Sequence, residues 1–371
     1  MKIKAAALLL LLLATSAFTS TLTAQTSRYA FNSTYTFENR GDEPLSLTEN
    51  DATISLFINN RWQRVSIEDP SHGKVREDED EDGNSVAVMD FPDEIGPGET
   101  LVFSVSYVID SSRMERPSIE PADAGLLSDI PSNLIEVYGG ETDTFRLNEE
   151  IEALANTLAS DETTVLGVVS EMIEWLDANI TYDNNEVPRY PEETLEGRRG
   201  DCDDQSILLI SMLRSIGIPA FLQIGVVFDG RIEGDKTAWD GHLTFKNQGI
   251  GWHGWAIIYI PPWGWLPVDL TLSSISDPLT LIQNAPEYEA NIVVAYNVSS
   301  QSYVGGSRAM RERIRSSDMY IVVEEIATEG VSTGPKPVSP VYIGLGIVAG
   351  CSFIAYIIYE RRRSPSTEHT F

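Results

Sequence analysis

Apolar positions recur along this 371-residue chain in several rhythms, and each predicts a different element. Between Arg28 and Asp110, short β-prone runs alternate with turn-rich polar stretches: Tyr29 to Phe37, Ala52 to Ile58, Trp62 to Ile67, Ser85 to Phe91 and Leu101 to Ile109. Their length and spacing predict strands and, taken together, a small β-sandwich over residues 26–115. From Asp161 to Asn179 the rhythm changes. Val165, Val168, Val169, Met172, Ile173 and Leu176 fall on one stripe of a helix, which predicts packing against a core. The run from Ile207 to Ile216 is mostly apolar, stops at Gly217 and continues Ile218-Pro219, the signature of a buried helix with a glycine C-terminal signal. Gly251 to Ile260 is aromatic and β-branched, so it reads as a buried strand. Pro261-Pro262-Trp263-Gly264 then supplies a turn, and Trp265 to Asp269 reads as the returning strand. After Asp277 the signal fades, and Leu279 to Val323 is expected to add at least one strand.

The two ends carry patterns of another kind. Lys2 and Lys4 precede the leucine-rich core Ala5 to Ala14, with small residues near Ala17 and Ala24; this is the form of a secretory signal peptide over residues 1–24. Residues 341–359 are uncharged and predominantly apolar, long enough for a transmembrane helix. Arg361-Arg362-Arg363 follow, which places the tail, residues 360–371, in the cytoplasm and the bulk of the chain outside the cell membrane. Residues 331–340 form a Pro/Gly/Ser linker. Asn32, Asn179 and Asn297 each open a glycosylation sequon, in keeping with an outward location.

Charge narrows the partners. The balance of 26 basic against 56 acidic residues gives a formal −30, which argues against nucleic acid and anionic surfaces. The expected partners are a peptide or protein substrate and the membrane reached through the C-terminal helix. The acidic run Glu77 to Asn84 offers Asp78, Asp80, Asp82 and Gly83 in the order of a calcium-loop opening. Its twelfth position is Met89, where a bidentate glutamate is required, so a solvated hairpin loop is expected.

The chemistry centres on Gly200-Asp201-Cys202-Asp203-Asp204-Gln205. Cys351 lies inside the expected membrane span, so Cys202 has no intramolecular disulfide partner, and an unpaired thiol outside the cell is better explained by use than by packing. At a helix N-terminus free backbone amides favour a thiolate, whereas the neighbouring aspartates oppose it. Reactivity therefore needs a basic partner, most plausibly histidine. Of His72, His242, His253 and His369, the first lies in the amino-terminal region and the last beyond the membrane segment. His253 stands on the buried strand, and a pairing centred on Pro261 puts it opposite Asp269; a later centre would need a bulge to restore that register. His242 is the rival base but lacks a comparable downstream acid. One thiolate without paired Cys or His spacing is poor for zinc, so neither a metal nor any other cofactor is expected.

These residues resemble the transglutaminase-like superfamily, the papain-related cysteine acyl-transfer fold. The resemblance rests on Leu195-Glu196-Gly197-Arg198-Arg199-Gly200-Asp201-Cys202 with Gly217-Ile218-Pro219-Ala220, on His253-Gly254-Trp255, and on Gly264-Trp265-Leu266-Pro267-Val268-Asp269. It implies an α+β class: a papain/transglutaminase-like core over residues 140–300, with a helix packed on an antiparallel sheet, after the β-sandwich and before the transmembrane helix. It also implies Cys202 as nucleophile, His253 as general base and Asp269 as the acid that orients it. Tyr182 or Tyr190 could line the acyl site, with the Cys202 amide the more general oxyanion donor. Trp252, Trp255, Trp263 and Trp265 are expected to be mostly core. The function implied is cysteine-dependent acyl transfer on peptide or protein amides, with hydrolysis slightly ahead of crosslinking. The alternative is a catalytically silent surface binding or structural module.

Overall fold

The computed structural model describes residues 26–68, 70–272 and 277–330. The expected signal peptide, linker, transmembrane helix and tail lie outside the described residues. Among the described residues no helix is long and apolar enough to cross a membrane.

The strands that matter are β1 (Thr26–Asn39), β2 (Thr53–Ser55), β3 (Gln63–Glu68), β4 (Lys74–Glu79), β5 (Ser85–Met89), β6 (Thr100–Ser112), β7 (Ala220–Ala238), β8 (Leu243–Ile260), β9 (Gly264–Val268), β10 (Ile292–Val298) and β11 (Met319–Glu329). Eight of them form one sheet in the order β10-β7-β8-β11-β1-β6-β3, with β9 also on β8. The strands of the amino-terminal segment thus run on into those of the second segment, because β1 lies between β6 and β11. A smaller sheet, β2-β5-β4, packs on the large one. Between the two layers Phe31, Phe57, Ala87, Met89 and Phe103 pack with Phe228 and Ile250 from β7 and β8.

Alternation explains the longer strands. In β6, Phe103, Val105, Tyr107 and Ile109 are buried while the intervening side chains are partly or more fully exposed, the period-two pattern of a one-sided sheet. β4 has no such pattern. All six of its residues are exposed and most are charged, so it forms a polar edge that hydrophobic periodicity does not reveal.

Helices α1 (Glu149–Ala159), α2 (Val165–Asn179) and α3 (Cys202–Ser215) build a helical layer of the carboxy-terminal half. The apolar stripe of α2 is buried as expected, but the helix starts at Val165 rather than Asp161, because the Thr164 hydroxyl accepts the Gly167 amide at 3.1 Å and fixes the start. In α3 every residue from Asp204 to Arg214 is buried. The helix ends where expected: Gly217 takes φ +82, and the Ile218 amide turns back to the Leu213 carbonyl at 2.9 Å. Helix α3 packs on β7 and β8 through a core that includes Ile207, Leu208, Leu222, Ala256 and Ile258.

The acidic run is solvated only in part: Glu77 to Glu79 and Glu81 are exposed as expected, but Asp82 and Asn84 are not. The Asp82 carboxylate accepts the amides of Ser299, Ser300 and Gln301 at 2.8, 2.7 and 3.2 Å and both serine hydroxyls at 2.6 Å. Asn84 exchanges a pair of 2.8 Å bonds with the Asn297 backbone. These contacts clamp the β4–β5 hairpin to the segment that follows β10. Two further strands, β10 and β11, occupy the stretch where at least one was expected.

Candidate active site

Strand β8 carries the site because its two ends have different neighbours on one edge. Leu243 to Gln248 pair in parallel with β11, while Ala256 to Ile260 pair with β9; His253 falls in the interval and is paired only on its other edge, with Gly225 of β7. A Cβ on Gly225 would approach the Trp255 ring to 2.6 Å and the Val293 carbonyl oxygen to 2.5 Å, so this crossing requires glycine. Trp255 is fully buried and stacks beside His253 with ring centroids 5.7 Å apart.

The hairpin register differs from expectation. Ala256 pairs with Val268 and Ile260 with Gly264, so the turn is centred on Pro262 and the ladder contains no bulge. Asp269 continues the β9 alignment one residue past its last pair and reaches His253 along the diagonal rather than from directly opposite. The contact is nevertheless made: His253 Nε2 and Asp269 Oδ2 are 2.8 Å apart, and both residues are buried. The other oxygen, Oδ1, accepts the amides of Thr271 and Leu272 at 2.8 and 3.0 Å. Hydrogen bonds from His253, Leu272 and Thr271 outweigh burial and hold the Asp269 carboxyl below its ordinary range. With Nε2 engaged, Nδ1 is the ring nitrogen available for a proton transfer.

Cys202 opens α3, whose start meets β8 at Gly254: a Cβ there would lie 3.1 Å from the Asp203 Cβ. The backbone amides of Gly254 and Asp203 lie near enough to the Cys202 sulfur to favour a thiolate. Burial opposes them first and the Asp203 carboxylate second, and together they push the thiol well above its ordinary value. The sequence set the amides and the aspartates against each other; in the structure desolvation and the Asp203 carboxylate prevail, and the thiol is raised.

Those aspartates also build the helix start. Asp204 is fully buried and accepts the Asn185 side-chain amide and the Arg189 backbone amide, both at 2.6 Å, tying the 183–189 loop to α3. Asp203 accepts the Tyr303 hydroxyl at 2.8 Å. Asp201 is held up to about 8 by burial and by the Asp203 carboxylate, and Asp204 up to about 6 by burial and by Asp201. A raised carboxyl binds its proton more tightly folded than unfolded, so the stability Asp201 contributes is full below about pH 4 and is lost as pH rises through about 8. Asp201→Asn keeps a neutral side chain at every pH. Its melting temperature is expected to gain on the wild type progressively between pH 5 and 9; an offset that stays constant in calorimetry across that range would contradict this assignment.

The other candidates separate from the thiol. His242 Nδ1 is 2.8 Å from the Met319 carbonyl oxygen and its ring stacks on Tyr320, while His72 is an exposed-side residue of the amino-terminal half, bonded to Ser71 and edge-on to Phe91. Tyr190 is sandwiched by Arg146 and Arg308. Tyr182 is half exposed and lies near enough to Cys202 and Asp201 for their charges to add to the burial that raises its hydroxyl to about 12. Trp252 points to the opposite face of the sheet, where its indole donates to Glu325 at 2.9 Å. Trp263 and Trp265 line a cavity of about 840 Å³ beside the His253–Asp269 pair, together with Arg116, Glu287 and Tyr288.

Among the described residues two clusters bring possible metal-binding atoms within 4.8 Å of one another: His253, Asp269 and Glu287, and Asp201, Asp203 and Asp204. In the first, His253 and Asp269 bond directly to each other, and in the second Asp204 is occupied by protein donors. Sequence reasoning missed Glu287 and Tyr303, which lie in the weakly patterned stretch after Asp277 and reach the site only through the fold.

Residues 152–270 match the model of the Transglutaminase-like superfamily. Over 134 residues the chain is 29% identical to "Uncharacterized protein YebA" of Bacillus subtilis (strain 168), a match covering 34% of this chain and 18% of that protein. The chain therefore spans less than a fifth of that relative's length. Among solved structures, a protein of Cytophaga hutchinsonii described as a candidate cysteine protease aligns with a TM-score of 0.49 at 13% identity, over 85% of this chain and 93% of that one. The periplasmic domain of TgpA from Pseudomonas aeruginosa aligns with a TM-score of 0.32 at 15% identity, over 72% and 93%. LapG of Legionella pneumophila aligns with a TM-score of 0.28 at 13% identity, over 46% and 99%. Residues 152–270 are thus similar to the Transglutaminase-like superfamily and lie in a mixed α+β fold.

Proposed function

We propose that the protein is a cysteine-dependent acyl-transfer enzyme acting on peptide or protein amides, with Cys202 as nucleophile, His253 as general base and Asp269 as the acid that orients it. The observation that carries the reading is one juxtaposition: the start of α3, which bears the thiol, packs against Gly254, and the preceding residue, His253, is bonded to Asp269 at 2.8 Å. With the thiol raised by burial and by Asp203, attack and deprotonation go together. His253 takes the thiol proton as the sulfur bonds to the amide carbonyl carbon; the C–N bond then breaks, and His253 returns the proton to the leaving amine. The Cys202 backbone amide stabilises the oxyanion. Water or an amine then attacks the thioester, its proton passing through His253 to the departing sulfur. Hydrolysis is the favoured outcome, since water is always present. The location belongs to the same reading: an outward-facing unit anchored by the apolar stretch near the C-terminus.

The test supplies peptides containing glutamine, together with an amine probe, to the full chain and to Cys202→Ala. Cleaved or deamidated peptide without probe incorporation is expected for the wild type alone. Incorporated probe would reassign the outcome to crosslinking, and no turnover of any peptide would favour the second reading, a silent binding or structural module. The raised thiol is the observation on that second reading's side.

A further inference from the structure

Glu287 is the side chain beside the site that the mechanism leaves unused. It lies in a short turn, Pro286–Tyr288, is 4% exposed, and has both carboxylate oxygens buried without a protein hydrogen-bond donor. Its carboxyl rests against Asp269, and the candidate ligand atoms of Glu287, Asp269 and His253 all lie within 4.8 Å of one another. Two neighbouring carboxylates cannot both be ionised in so enclosed a place. The competition between them is uneven. Asp269 has His253, two backbone amides and the Thr271 hydroxyl to support a charge, whereas Glu287 has none.

We propose that Glu287 is a positioning residue of the candidate site: a neutral carboxylic acid whose O–H donates to Asp269 and fixes how that carboxylate is presented to His253. This rests on the catalytic reading above and deepens it. Burial, followed by the Asp269 charge, drives the Glu287 carboxyl well above its usual range, in the direction the hydrogen-bond inventory requires. The titratable groups facing it are His253 from β8, Asp269 after β9 and Tyr288 from its own turn, while Arg116 reaches the same cavity beside Tyr288. The arrangement has a functional consequence. A protonated neighbour shares part of the Asp269 charge and restricts its rotation, so the imidazole is held in one tautomer without being locked into a permanent ion pair.

Two readouts on the full chain test it. The first is an infrared difference spectrum at pH 7 between wild type and Glu287→Gln. A carbonyl band of a protonated carboxylic acid, present in wild type and missing in the variant, is expected; its absence overturns the proposal irrespective of catalysis. The second is the pH profile of Cys202 alkylation by iodoacetamide. Glu287→Gln retains a neutral donor and is expected to keep the profile midpoint within about 0.3 pH unit, whereas Glu287→Leu, which has no donor, is expected to move it by about one unit and slow the reaction about tenfold. A midpoint in Glu287→Gln displaced by a unit or more would mean that a charge had been removed, and an unaltered Glu287→Leu would mean that the side chain only fills space; either result overturns the positioning role. If Glu287→Leu fails to fold, the infrared result and the Gln profile decide. Failure of the catalytic reading would look different: alkylation in the wild type would not respond to His253→Ala, while the infrared band of Glu287 would remain.

Discussion

His253→Ala is expected to cut acyl transfer by about 10²- to 10⁴-fold, the range usual for loss of a general base. The structure places this variant toward the large end. Burial, followed by the Asp203 carboxylate, raises the Cys202 thiol, so the sulfur depends on a partner to take its proton. Iodoacetamide reads the same dependence without a substrate. In the wild type the thiol should react at a rate that follows the protonation of its partner. In His253→Ala the residual reaction should appear only at strongly alkaline pH, where a buried thiol beside acids ionises unaided. Asp203→Asn should move that alkaline onset downward, since it removes the second-largest cause of the raised thiol. Equal alkylation profiles for wild type and His253→Ala would dismiss the pair.

The second large effect is on stability. Asp82→Ala removes the acceptor for five donors on residues 299–301 at once. It also removes the carboxylate whose charge favours the buried guanidinium of Arg214, a group lowered to about 9 by burial. Arg214 is 2% exposed and is held by the carbonyls of Ala220, Gly140 and Ser299 at 2.9, 2.9 and 3.0 Å. The expected loss is about 2–4 kcal/mol, because each stranded donor forfeits a charge-assisted bond, with partial rescue by water. The sign of the pH dependence follows from the same bonds. They lower the Asp82 carboxyl against the opposing effect of burial, so its contribution is present above the unfolded carboxylate value of about 4 and disappears as pH falls through the lower folded value. Urea denaturation at pH 7 and pH 3 checks both parts. The gap between wild type and Asp82→Ala should be large at the first and shrink toward the second, and a gap of similar size at both would rule out the carboxylate clamp.

The legible parts of the molecule were those with local periodicity or a local end signal. The stripe on α2, the glycine end of α3 and the aromatic run of β8 could all be read from spacing, although β8 begins at Leu243, eight residues before the expected Gly251. Cys202, His253 and Asp269 could be singled out because a helix start and a hairpin are local patterns, although the hairpin centre was off by one. What stayed hidden depends on distance. β4 has no apolar face, β11 finds its neighbours in β1 and β8 from far away in the chain, and Asp82 looks solvent-bound until residues 299–301 are brought to it. The state of the thiol was hidden for a different reason: amides and acids act on it in opposite directions, and only geometry says which set is nearer.

The pairing of β1 with β11 aligns Tyr29 with Glu329 and Asn39 with Met319, so the first and last described strands lie side by side over most of their length. Such a seam makes assembly an end-dependent event. Until residues 319–329 emerge during synthesis, β1 and the Leu243–Gln248 half of β8 expose unpaired edges, and the strand bearing His253 lacks one of its supports. Completion of the sheet that bears His253 is therefore a late event. The same seam sets the mechanical character of the unit: tension applied at its two termini would open β1 from β11 one hydrogen bond at a time, as a zipper rather than as a block under shear.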